Sequence, residues 1–226
     1  MSRIGFWLVW IGFVMYAFLL APPDRPDTFD LIKHLSTGQI AGINPLIVAL
    51  FNLMGILPML YSCLLLIDGR MQKIPAWLFA MASFAVGAFA IVPYLGLREP
   101  NGTFSGKKTW WLKVLDSRGL GLALAMATLG LLVYGISQGD WTDFGEQWRS
   151  SRFIHVMSLD FCLLTVLFPA LLRDDMARRG LTDDRVFWTV TLLPLLGAIG
   201  YLVLRPPLQE QPENAVSPQA NYRTSL

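Results

Sequence analysis

The run LIVALFNLMGILPMLYSCLLLI, residues 46–67, contains no Asp, Glu, Lys, Arg or His. About 20 apolar residues in a helix cross the hydrocarbon core of a bilayer. A helix on the surface of a soluble protein would carry a polar stripe along one side, and this run has none. Five more apolar runs follow the same pattern, at 4–21, 76–97, 119–136, 153–172 and 186–204. Only 153–172 holds ionisable residues, His155 and Asp160. In lipid a backbone must satisfy its own hydrogen bonds, so runs of this length are helices. Mean hydropathy is +0.49, and every Lys and Arg lies outside the runs. The expectation is an all-α, polytopic bundle of six transmembrane helices filling 1–205. The tail 206–226, rich in Pro, Gln, Asn and Ser, is expected to be disordered.

Composition excludes several classes. The formal net charge is only +2, and no loop gathers the dense basic patch with interleaved aromatics that nucleic acid requires. Lys107 and Lys108 beside Trp110 and Trp111 read as a membrane-interface anchor. Cys63 and Cys162 fall inside runs and read as small apolar fillers, which leaves neither a disulfide framework nor a thiolate metal site. The first run follows Arg3 but ends without a small-x-small cleavage pattern, so it is expected to stay as a helix.

Helix starts are well marked. Asn44-Pro45, Pro75, Ser117 and Asp183 or Asp184 supply caps or first-turn prolines. Phe29, Ile32 and Leu35 share a helical face and predict a short helix on the membrane surface. Six spans would put the loop 98–116 opposite both termini. Lys and Arg then divide seven on the side of the termini and eleven on the other, which favours termini away from the cytoplasm. A repeat is visible. YLGLREP at 94–100 echoes YLVLRPP at 201–207, and the same offset carries Asp68 onto Asp175. Three spans per unit would make a 3+3 repeat inverted in the membrane. The competing view is that Leu, Arg and Pro commonly end apolar helices.

Asp160 is the only carboxylate inside a run. An ionised Asp at mid-membrane costs roughly 2.5–3.5 kcal/mol on insertion scales. It must therefore face the bundle or a cavity, with a proton or ion site and a helix-locking hydrogen bond as its two readings. Counting depth along the helices puts Ser83, Tyr61 and Thr128 nearer its level than Asn52, so one of these three is expected to donate to it. Asn52 reads as interhelical glue. His155 points away from Asp160 on their common helix. It reads as an interfacial histidine or, more sharply, as a haem or pigment ligand. No motif for a catalytic or metal site is present, and no cofactor is indicated.

Asn44-Pro45 with Phe51 to Gly55, Lys73 to Trp77, and Gly87-Ala88-Phe89 with Pro93-Tyr94 together carry a resemblance. They resemble an uncharacterised multi-pass membrane protein family of cyanobacteria and chloroplasts. The resemblance covers mainly 44–94 and implies a photosynthetic membrane, the thylakoid or the cytoplasmic membrane. It transfers no catalytic residue. Three functions follow as expectations: a non-enzymatic accessory or assembly protein packed against other membrane subunits, a small proton- or ion-coupled transporter using Asp160, and a membrane enzyme or pigment binder using His155. The lipid bilayer is the partner common to all three.

Overall fold

A computed structural model describes residues 2–208 and residue 210. Among these the chain is all-helical. Four helical rods are long and apolar enough to cross a membrane: Arg3–Leu20, Pro45–Met71, Arg118–Gln138 and Arg152–Arg178. The first is α1 (Arg3–Met15) continued by a π-helical turn, Tyr16–Leu20. The second is α3 (Pro45–Asp68) with a 3₁₀ turn, Gly69–Met71. The third is α7 (Arg118–Gln138). The fourth is α9 (Arg152–Leu167) and α10 (Pro169–Arg178), broken where Pro169 has no N–H to continue the ladder. Two amphipathic helices, α2 (Thr28–Thr37) and α8 (Trp141–Ser150), lie between successive rods at one end of the bundle. The first answers to the Phe29 pattern; α8 is not evident from hydropathy. α6 (Trp110–Leu115) lies at the other end.

Of the six expected spans, four form helices of membrane-crossing length, and the third and sixth runs do not form single rods. Run 76–97 folds as α4 (Ala76–Val86) and α5 (Ala88–Leu97). Run 186–204 folds as α11 (Asp184–Leu192) and α12 (Leu196–Leu204). Each helix is about 15 Å long, half a bilayer core. The two arms fold back on each other. Phe79 and Tyr94 have ring centroids 5.5 Å apart across α4 and α5. Gln72 and Glu99 close the base of that hairpin, with Gln72 Nε2 donating to the Glu99 carbonyl at 2.6 Å and the Glu99 N–H donating to Gln72 Oε1 at 2.8 Å. An apolar run long enough for one span is also long enough for two half-length arms, and hydropathy does not separate these cases.

Both hairpins start and end at the same end of the bundle. Arg98 after α5 bonds Asp68 at the end of α3, and Arg3 at the start of α1 lies 3.8 Å from Glu99. Lys108 Nζ donates to the Leu208 carbonyl at 2.9 Å. The loop 98–116 therefore shares an end with residue 3 and with the start of the tail, and does not stand opposite them. The tail also departs from expectation at its start. Leu208 is buried, and its N–H donates to Asp116 Oδ2 at 3.0 Å. Residue 209 and residues 211–226 lie outside the described residues.

The core is centred on α3. Asn44 caps it by accepting from the Leu46 N–H, with Pro45 in the first turn. Leu57, Leu60, Tyr61, Leu64 and Leu65 pack against Ile91 and Leu95 of the first hairpin, Ile199 and Leu202 of the second, and Leu164 of α9. Cys63 is buried here, whereas Cys162 is exposed on the outer surface. Ser117 and Asp183 cap α7 and α11.

Candidate functional site

The first hairpin turns at Gly87, whose φ of +53° and ψ of −123° suit glycine alone. A Cβ there would fall inside the Asp160 carboxylate of α9. That close approach lets Asp160 Oδ1 accept the Ala88 N–H at 2.7 Å. No side chain of the hairpin caps α5, so Asp160 supplies the cap from a different helix. The positive end of the α5 dipole favours its negative charge. Asp160 is 6% exposed, and among the described residues Oδ2 receives no hydrogen bond.

None of the three expected donors reaches Asp160. Ser83 Oγ donates to the Ala80 carbonyl in its own helix at 2.6 Å. Tyr61 donates to the Leu164 carbonyl at 2.7 Å, one turn beyond Asp160 and near the α9–α10 break. Thr128 is fully buried on α7 with its hydroxyl unpartnered among the described residues. Asn52 is exposed and donates to the Val48 carbonyl of its own helix at 2.8 Å, so it does not join helices. The donor was a backbone amide at a turn, and no side-chain inventory reveals one.

A cavity of about 480 Å3 ends on Asp160. Phe51, Met54, Phe84, Phe89, Phe153 and Met157 form its apolar walls; Asp24, Thr28 and Arg152 stand at its mouth, beside the surface helix α2. Arg152 is held there by Asp24 at 2.9 Å and by the Pro22 carbonyl at 3.0 Å. From Arg152 to Asp160 is about 12 Å along α9. Among the described residues no group of three or more His, Cys, Asp or Glu is placed to hold a metal ion.

His155 lies outside this cavity. Its Nδ1 is 2.9 Å from the Trp148 carbonyl and its Nε2 is 2.8 Å from the Tyr16 hydroxyl. A carbonyl only accepts, so Nδ1 carries the proton and Nε2 accepts from Tyr16. Both nitrogens are used, which leaves neither for a haem iron or a pigment metal. The ring instead ties the π-helical turn, α8 and α9 together. Tyr16→Phe is expected to cost about 1 kcal/mol and His155→Phe, which loses both bonds, about 2 kcal/mol, and the double variant little more than His155→Phe alone. Thermal unfolding of the three purified variants checks this; additive losses would overturn it.

At the opposite end lies a buried charge network whose members hydropathy does not pick out. Asp68 accepts from Tyr94 at 2.6 Å, from Arg98 at 2.6 and 2.8 Å, and from Arg178. Asp175 accepts from Tyr201 at 2.7 Å and from Arg179 at 2.8 Å, with Arg205 at 3.4 Å. Asp174 pairs with Arg98, and Asp116 pairs with Lys108 and Arg179 at 3.0 and 2.7 Å. Burial pushes the Asp116 carboxyl up, but Arg179, the Leu208 N–H and Lys108 outweigh it and hold it below its ordinary value. The sequence signal for this network was the 107-residue offset that joins Asp68 to Asp175, Tyr94 to Tyr201 and Arg98 to Arg205.

Against known proteins, the chain matches no family model, no curated protein and no solved structure.

Proposed function

We propose that this chain is a non-enzymatic integral membrane protein of the carrier class, with the Asp160 cavity as its ligand site. One observation carries the reading. A carboxylate more than nine-tenths buried presents an unbonded oxygen to an apolar cavity that opens near one membrane surface. Small-molecule sites have this character: mostly apolar walls and a few placed polar groups. Met157→Trp should fill the cavity without touching the Asp160 cap. Denaturing extraction of the wild-type protein, purified in mild detergent, is expected to release a small molecule in near-equal amount, and extraction of Met157→Trp far less. An empty wild-type protein that co-purifies with a large complex would instead support an accessory or assembly role. We also propose a photosynthetic membrane as its location, on the resemblance of residues 44–94 alone; separation of thylakoid from cytoplasmic membranes tests this.

We further propose that the chain is two tandem copies of one unit, each a span, a surface helix, a second span and a hairpin that enters and leaves by one face. The offset of 107 residues supports this beyond the Asp–Tyr–Arg sets. Gln72 bonding the Glu99 carbonyl corresponds to Arg179 bonding the Pro206 carbonyl at 2.5 Å. The groove between the arms of the first hairpin, lined by Leu78, Ala82 and Phe89, corresponds to one lined by Arg185, Thr189 and Leu196. Two spans per unit make the copies parallel, in place of the inversion that three would require. Of the 18 Lys and Arg, only Arg25, Lys33, Arg149 and Arg152 then lie on the cavity side; Arg223 is outside the described residues. The imbalance assigns the network end to the cytoplasm. In a cysteine-free background, Ser2→Cys and Ser105→Cys should label from the cytoplasmic side and Glu146→Cys from the other. Labelling of Ser2→Cys and Ser105→Cys from opposite sides would sink this topology.

A further inference from the structure

Resting on the reading of the Asp160 cavity as a ligand site, we propose that its occupant is a lipid-soluble molecule with an apolar chain and a single hydroxyl, which donates to the free oxygen of Asp160. The walls set the body of the ligand. Phe18, Phe84 and Val86 line the cavity and are also widely exposed on the outer surface. The opening therefore extends onto the lipid-facing side between α9 and the hairpin tip, and a molecule dissolved in the bilayer reaches it without crossing water.

The base sets the head. Asp160 Oδ1 is taken by the Ala88 N–H, which leaves Oδ2 as the free acceptor facing the cavity. Ser83 beside it has spent its proton on the Ala80 carbonyl, so its oxygen also only accepts. A hydroxyl has one proton to place and finds an acceptor for it. An ammonium has three protons to place and finds two acceptors, Asp160 Oδ2 and Ser83 Oγ, which leaves one buried donor unpaired. A bare metal cation needs several oxygens, and no third acidic or histidine ligand joins Asp160 among the described residues. A head with only acceptors, such as an ether or ester, would face Asp160 Oδ2 with no proton between them, leaving a buried acceptor unpaired. The distance from base to mouth, about 12 Å, accommodates a chain lying along α9 with its end near the surface helix α2.

The full chain in phosphatidylcholine nanodiscs is the test material. It is exposed to a long-chain alcohol bearing a photoreactive diazirine, and separately to the methyl ether of the same molecule. Labelled peptides are identified by mass spectrometry. The alcohol is expected to label α9 and the hairpin tip about tenfold more than the ether, the discrimination a hydrogen bond to a charged group supports. Asp160→Asn keeps an oxygen for Ala88 and turns the free atom from an acceptor into a donor, so the preference should fall to near unity or reverse. Equal labelling of the wild type by both probes would overturn the proposal while leaving the cavity as an apolar ligand site. Labelling of the cavity by neither would overturn it together with the reading it rests on. A preference that survives in Asp160→Asn would also overturn it, since the head would then be recognised elsewhere.

Discussion

Replacing Gly87 with alanine is expected to cost roughly 2.5–6 kcal/mol of stability. Two effects add. The backbone at φ +53°, ψ −123° strains any residue with a Cβ by about 1–3 kcal/mol. The new methyl also displaces the carboxylate of Asp160, and with it a hydrogen bond to a charged group worth about 1.5–3 kcal/mol. Folded protein recovered by size-exclusion chromatography should fall sharply, and the thermal midpoint of what remains should drop. Ser83→Ala, at the same tip, loses only a bond within its own helix and should cost about 1 kcal/mol. Adding Asp160→Ala to Gly87→Ala relieves the collision, so the pair should lose less than the sum of the single changes. Wild-type stability of Gly87→Ala would show that the hairpin does not turn there.

The second large effect is expected at the network end. Asp68→Ala leaves buried Arg178 with no carboxylate and Arg98 with Asp174 alone, and Asp175→Ala leaves Arg179 and Arg205 with Asp116 alone. Removing one partner of a buried ion pair costs about 3–5 kcal/mol. Each carboxylate holds a tyrosine and two arginines, but Asp68→Ala should be the more harmful, because Asp116 still faces the arginines of Asp175 whereas Arg178 keeps no carboxylate. Asp68 and Arg178 come from different halves of the chain, so their double-mutant cycle measures how strongly the halves are coupled. A coupling near zero would overturn the network as a fastening. The pH response has a fixed sign. Asp116 is held below its ordinary value of 3.8, so its contribution is complete above that value and is lost as pH falls through the lower, folded one. Thermal stability should therefore change little through this group from neutrality to about pH 4 and decline below.

Much of this was legible in residues 1–205, and the remainder has definite physical causes. Apolar runs locate the helices because lipid removes water as a hydrogen-bond partner. The same property hides where a helix turns round, since residues 76–97 look alike as one rod or two arms. The clue was Gly87 standing in mid-run, and small residues are too frequent in membrane helices for that to decide. Asp160 was identifiable as the carboxylate needing a partner, yet the partner came from the Ala88 backbone, which has no signature in side-chain type. His155 looked open to a metal because Tyr16, 139 residues away, and the Trp148 carbonyl of the preceding helix meet it only in the fold. The offset that carries Asp68 onto Asp175 was visible in the sequence, whereas the proposed parallel direction of the two copies rests on counting two spans in each.

The capping of α5 by Asp160 also sets an order on how the chain is made. The Ala88 amide precedes its acceptor by 72 residues. As the chain leaves the ribosome, residues 76–97 present a complete bilayer-length apolar segment; Trp10, which donates to the Phe89 carbonyl, and Gln72, which bonds Glu99, are already made, but the cap of the turn is not. Insertion machinery reading hydropathy alone would seat it as a crossing. The turn at Gly87 gains its cap only when α9 arrives, so the last fastening of the first hairpin is supplied by the second half of the chain.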